Sequence, residues 1–366
     1  MADIIDYLKW RGDLPFSADP INDVDNLILS ELSYLKFDGI VPPDGRPVSL
    51  SEARDRYFEL FPPAERTAKT AFSALVPYML DEMTRGARFG SAVLSRYVND
   101  LDNEAGEQFS AVTVSLSDGS VYAAFRGTDG SLVGWREDFE MSYKSGTAGQ
   151  RAAARYLDAV AESTSGLIRT GGHSKGGNFA VYAAAFAKPG TRRRIAAIYS
   201  NDGPGFLDEV TQSEGYREIA PRIISIIPES SAIGVLLTTA AERRVVKSEA
   251  SGIMQHDGFS WQVERNSFIP AGQTELSAFL GKTVKSWLFR LDEETRASAV
   301  ETIFSVLEST GAETFRTMSE KKLKTAEAVA AAMRGVPREK QKELIRVMGD
   351  LFKSTGKVAA EYIKRD

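Results

Sequence analysis

Apolar positions at helical spacing open the chain. Asp19-Pro20 leads into Val24, Leu27, Leu29, Leu32 and Leu35, and a second helical stretch runs from Ala64 to Met83 after Pro62-Pro63. Residues 1 to about 105 therefore read as helical, with the role of covering whatever core follows. The period changes near Phe109. Ala111 to Leu116 and Val121 to Phe125 are β-rich runs joined by the turn Ser117-Asp118-Gly119-Ser120, a hairpin signal. Beyond it, helical stretches at Ala148 to Ala161 and Gly176 to Ala187 alternate with short apolar runs at Leu167 to Gly171, Ile195 to Tyr199 and Ile223 to Ile227. Strands that alternate with helices predict an α/β fold with a mostly parallel sheet. From about Glu275 the pattern is helical again, over Leu276 to Leu291, Glu294 to Leu307, Glu313 to Met333 and Pro337 to Lys364. Three regions follow: a helical N-terminal region over 1–105, an α/β core over 106–270 and a helical C-terminal extension over 271–366.

Composition narrows the function. The net charge of -5 gives no general attraction for nucleic acid. The charge is uneven, since residues 311–366 hold 13 Lys/Arg and 8 Asp/Glu, a net of +5. These basic amphipathic helices read as solvated helices packed on the core, with contact to a membrane surface or a partner as the sharper alternative. The chain lacks cysteine, which excludes disulfides, thiol nucleophiles and thiolate metal sites. No apolar run approaches the length needed to span a bilayer, and the acidic start Met-Ala-Asp-Ile-Ile-Asp is unlike a signal peptide. The expectation is a cytoplasmic protein with no cofactor and no metal.

The chemistry concentrates at Gly172-His173-Ser174-Lys175-Gly176. A Gly-x-Ser-x-Gly turn between a strand and a helix can raise a serine hydroxyl above the sheet edge, near the positive end of the helix. The plain alternative is a glycine-rich turn with an idle serine. A serine needs a base to take its proton, and the chain has 2 histidines, His173 and His256. His173 is adjacent to Ser174 and points away across the tight turn, so it packs or bonds beneath it. That leaves His256, in a loop downstream, as the base. The acid belongs between them at the carboxyl end of a strand. Asp202 follows the strand Ile195 to Tyr199 and Glu229 follows Ile223 to Ile227; residue type favours the first and position the second. Asp257, beside His256, is the weakest candidate.

A tetrahedral oxyanion needs preorganised donors. The backbone N–H of Lys175 is one, its side chain being free to lie in solvent. Thr128, after the strand that ends at Phe125, is the other, through its backbone N–H, its hydroxyl or both. Two apolar segments could act as a lid, Asp129 to Trp135 and Ala232 to Ala241.

Several segments resemble the class 3 (fungal-type) lipases. Phe125-Arg126-Gly127-Thr128 with Trp135 and Asp138 is similar to that family's oxyanion segment. Gly172-His173-Ser174-Lys175-Gly176-Gly177 is similar to its nucleophile turn, with Lys175 in place of the usual Leu. The resemblance implies an α/β-hydrolase fold, Ser174 and His256 as catalytic residues and Glu229 as the acid. It also implies Thr128 and Lys175 as oxyanion donors and Asp138 as a residue that steadies their loop. The whole chain also resembles the bacterial lipase-like DUF2974 family, through residues 16–38, 172–178 and 199–206; its Asn201-Asp202-Gly203-Pro204-Gly205 pattern keeps Asp202 in view. The expected function is a serine carboxylic-ester hydrolase acting on an acyl ester or lipid. The alternatives are an inactive binding protein on the same fold, or an acyltransferase or thioesterase.

Overall fold

The hairpin alternation is the part of the pattern on which the rest is built. In the computed structural model, which describes residues 2–62, 74–102, 107–129, 131–288, 290–308, 336–342 and 346, that hairpin lies in the middle of one sheet. The strands are β1 (Val48–Ser49), β2 (Val93–Asp102), β3 (Glu107–Ser115), β4 (Val121–Phe125), β5 (Ile168–His173), β6 (Ile195–Asn201), β7 (Ile223–Pro228) and β8 (Arg243–Val246). They lie side by side in sequence order. Pairings from β1 to β4 are antiparallel and those from β4 to β8 parallel. This is an α/β fold, as expected.

A sheet that grows in one direction through right-handed crossovers places its connecting helices on one face. The helices, in chain order, are α1 (Ile4–Arg11), α2 (Asp23–Leu32), α3 (Leu50–Leu60), α4 (Val76–Arg85), α5 (Leu132–Glu140), α6 (Ala148–Ser163), α7 (Lys175–Phe186), α8 (Pro189–Arg194), α9 (Asp208–Thr211), α10 (Glu214–Ile219), α11 (Glu275–Leu288) and α12 (Glu293–Glu308). Leu157 and Val160 of α6, Phe179 and Ala183 of α7 and Ile219 of α10 share one core with Val121, Ala123 and Phe125 of β4. Tyr122 and Ala124, one residue out of phase, face a second core with Leu27, Ile28, Met79 and Leu80 of the N-terminal helices. Parallel strands need both faces covered, and the N-terminal helices cover the face that the crossovers leave bare.

The N-terminal region is not wholly helical. β2 is a ten-residue strand, and its pairing with β3 shifts register between Ser95 and Val98, where Arg96 has φ 53°. The bulge breaks the two-residue period, so no alternation shows in the sequence. The helix from Glu275 forms as expected, and its successor as α12. The stretch Glu313 to Met333 lies outside the described residues, as does Pro337 to Lys364 apart from 337–342 and 346. Among the described residues no helix is long and apolar enough to cross a membrane.

Candidate functional site

β5 runs straight into the turn at Ser174. The serine takes φ 58° and ψ -130° as the residue before α7, and its side chain makes no capping bond. This backbone region costs a side-chain-bearing residue roughly 1–3 kcal/mol, so the surroundings must enforce it. They do so through close approach. A Cβ on Gly172 would lie 2.3 Å from the Gly176 carbonyl carbon, and one on Gly176 would lie 2.1 Å from the Phe125 carbonyl oxygen. Both glycines of the motif are therefore required by backbone contact. Ser174 N–H donates to the Asn201 carbonyl at 2.9 Å, tying the turn to β6.

The neighbouring strand end carries a buried carboxylate. Asp202 follows β6, is fully buried and has φ 46°. Its Oδ2 lies 2.6 Å from His256 Nδ1. Its Oδ1 accepts from the Ser231 hydroxyl and from Gly234 N–H at 3.0 Å. His256 ends a short 3-10 turn over Gly252–His256. Among the bonds that fasten that turn, Trp261 Nε1 donates to the Gln255 carbonyl at 2.9 Å, and Ser230 N–H to Gln255 Oε1 at 2.7 Å.

Glu229 does not take that place, which corrects the expectation from position. Beyond Pro228 its N–H still pairs with the Val246 carbonyl of β8, at 3.0 Å. Ser231 and Gly234, which follow it, close around Asp202 instead. Asp257 does not bind His256 through its side chain either; its Oδ1 accepts from Phe259 N–H at 3.0 Å, and burial pushes the carboxyl up to about 6.

The segment after β4, from Arg126 to Thr128, lies against the serine. A Cβ on Gly127 would come 3.2 Å from Ser174 Cβ. Thr128 Oγ1 donates to Asp138 Oδ2 at 2.6 Å, which commits the hydroxyl proton. The partly buried Asp138 has its carboxyl pushed up to about 6 by desolvation, with the Lys175 charge opposing the rise. The Lys175 side chain is not in solvent. It is 1% exposed, and its Nζ donates to Gln108 Oε1 at 2.6 Å and lies 3.3 Å from Glu137 Oε2. It thus ties the start of α7 to α5, the helix that follows Thr128. A buried lysine is tolerated only with such partners, and a motif shows nothing of partners so far away in sequence.

His173 lies beneath the turn, as its adjacency required. Its Nε2 is 2.7 Å from the His256 carbonyl oxygen, and its Nδ1 is 3.2 Å from the Tyr34 hydroxyl. Burial, with help from His256, pushes its pKa down to about 3. Tyr34, Ser231, Gly234 and Gln255 carried no sequence signal, because each acts through a contact made only on folding. Of the two lid candidates, Ser131 caps α5, on which Trp135 and Phe139 are exposed. The segment 232–241 is tied to Gly205 and Phe206, beyond the end of β6, through Leu236 and Thr238.

The model of the Mbeg1-like family matches residues 83–305. The match spans the strands from β2 to β8, the serine turn and the Asp202–His256 pair. No curated protein matches the chain.

Proposed function

The chain belongs to the Mbeg1-like family, which is lipase-like, and from this premise we propose that it is a serine carboxylic-ester hydrolase. Ser174 Oγ attacks the acyl carbon while His256 Nε2 takes its proton. Asp202 holds the opposite ring nitrogen, and so fixes the tautomer and balances the imidazolium that forms. The backbone N–H groups of Lys175 and Thr128 receive the oxyanion. His256 returns the proton to the leaving alcohol. Water then attacks the acyl-enzyme, giving up a proton to His256, and Ser174 is regenerated as the acid leaves.

The observation that carries this reading is the buried Asp202 carboxylate 2.6 Å from His256 Nδ1, on the strand next to the strained Ser174 turn. An acyl ester or lipid is the proposed substrate class. Ser174→Ala is expected to abolish p-nitrophenyl ester turnover and fluorophosphonate labelling without lowering the melting temperature. Turnover near the wild-type rate in that variant would overturn the assignment. Labelling of wild-type Ser174 with transfer to an alcohol in place of water would favour an acyltransferase.

A further inference from the structure

We propose that Tyr34 and His173 form a positioning relay, in which the N-terminal layer fixes the main chain at His256 from below. The relay rests on the ester-hydrolase reading and deepens it. Tyr34 follows α2 and lies outside the residues that match the family model. Its hydroxyl is 3.2 Å from His173 Nδ1, and His173 Nε2 is 2.7 Å from the His256 carbonyl oxygen. The two imidazole rings lie 4.6 Å apart, tilted by 36°.

The chemistry of these contacts sets the proton positions. A carbonyl oxygen only accepts, so Nε2 of His173 must carry the hydrogen. In a neutral ring Nδ1 is then an acceptor, which the Tyr34 hydroxyl satisfies as donor. Burial keeps His173 neutral, since it pushes the pKa down to about 3. Neutrality matters because a second positive charge beneath His256 would oppose the imidazolium that ester hydrolysis requires. The Tyr34 hydroxyl reaches this place because residue 127 is glycine; a Cβ there would lie 2.3 Å from it. Glu31, one turn earlier, backs the ring with Oε1 at 3.6 Å from Nδ1. Burial, then the charge of Asp257, raises the Glu31 carboxyl well above its ordinary range.

The relay predicts a loss in kcat with little change in KM, because it orients a base and touches no substrate. Hydrolysis of p-nitrophenyl butyrate would be measured for the wild type, Tyr34→Phe, His173→Gln, His173→Leu and the double variant Tyr34→Phe/His173→Leu. A small displacement of a catalytic base lowers the rate by about tenfold or more. Tyr34→Phe and His173→Leu are each expected to lose about that much in kcat, with KM within about twofold. His173→Gln keeps an N–H that can reach the His256 carbonyl and should retain most of kcat. The double variant should be no slower than His173→Leu, since both changes cut one chain. A Tyr34→Phe enzyme with wild-type kcat, or losses that multiply in the double variant, would overturn the relay. Should His173→Leu fail to fold, Tyr34→Phe and His173→Gln still decide the matter. A wild type that neither turns over esters nor reacts with a fluorophosphonate would sink the hydrolase reading and the relay together. An active wild type with an indifferent Tyr34 sinks the relay alone.

Discussion

On the crossover side the sheet meets Ala152, Ala153, Leu157, Val160, Phe179 and Ala183, a layer of small and apolar side chains. On the opposite side, under the serine turn, it meets Asn26, Ser30, Glu31 and Tyr34 of the N-terminal layer. Asn26 Nδ2 donates to Asn201 Oδ1 at 2.8 Å, and Asn201 Nδ2 to the Gly172 carbonyl at 3.1 Å. Tyr122 adds its hydroxyl to Asn26 Oδ1 at 2.7 Å. The first layer stabilises by excluding water and is indifferent to small rotations. The second adds polar contacts to its apolar core; these stabilise only when each donor finds its acceptor, so they fix orientation. The layer that looked like plain covering is the one that holds the turn.

That contrast can be broken or sharpened by substitution. The largest effect is expected at the proposed acid: Asp202→Asn should lower kcat by about 10³–10⁴-fold. Glu229→Gln should stay within about twofold in the same ester assay; equal losses would undo the assignment. Next come the layers themselves. Leu157→Ala on the crossover side should cost about 2–5 kcal/mol in urea unfolding, with kcat of the folded enzyme unchanged. Asn26→Ala on the other side should cost less, about 1–3 kcal/mol, yet lower kcat several-fold because it loosens Asn201 beneath the serine. If the activity loss fell on Leu157 instead, the division of labour would be wrong.

The smallest effect concerns Glu31, whose carboxyl oxygens have no hydrogen-bond partner among the described residues. Its pKa is raised in the folded state. The stability linked to it is therefore fully present below the ordinary value of 4.5 and is lost as pH rises toward the folded value. Glu31→Gln should flatten that fall, making the variant more stable than the wild type at alkaline pH and no more stable under acid. Parallel pH-melting curves for the two proteins would show that the carboxyl ionises without cost.

The alternation at Ala111 to Phe125, the glycines around Ser174 and the scarcity of histidine were legible in the sequence because each is a local property. Period, backbone freedom and residue count do not depend on what lies across the sheet. They determined the α/β class, the serine turn and the pairing of Ser174 with His256 as candidates. The choice of carboxylate was not local: Asp202 meets His256 because β6 ends beside the serine turn and the Ser231-Gly234 loop folds over it. Nor was the fate of Lys175, which is buried against Glu137 on a helix 38 residues away in sequence. The use of the N-terminal layer was hidden for the same reason, since Tyr34 and His173 stand 139 residues apart along the chain. Long-range hydrogen bonds between single side chains leave no period in a sequence, and only the packed tertiary structure decides them.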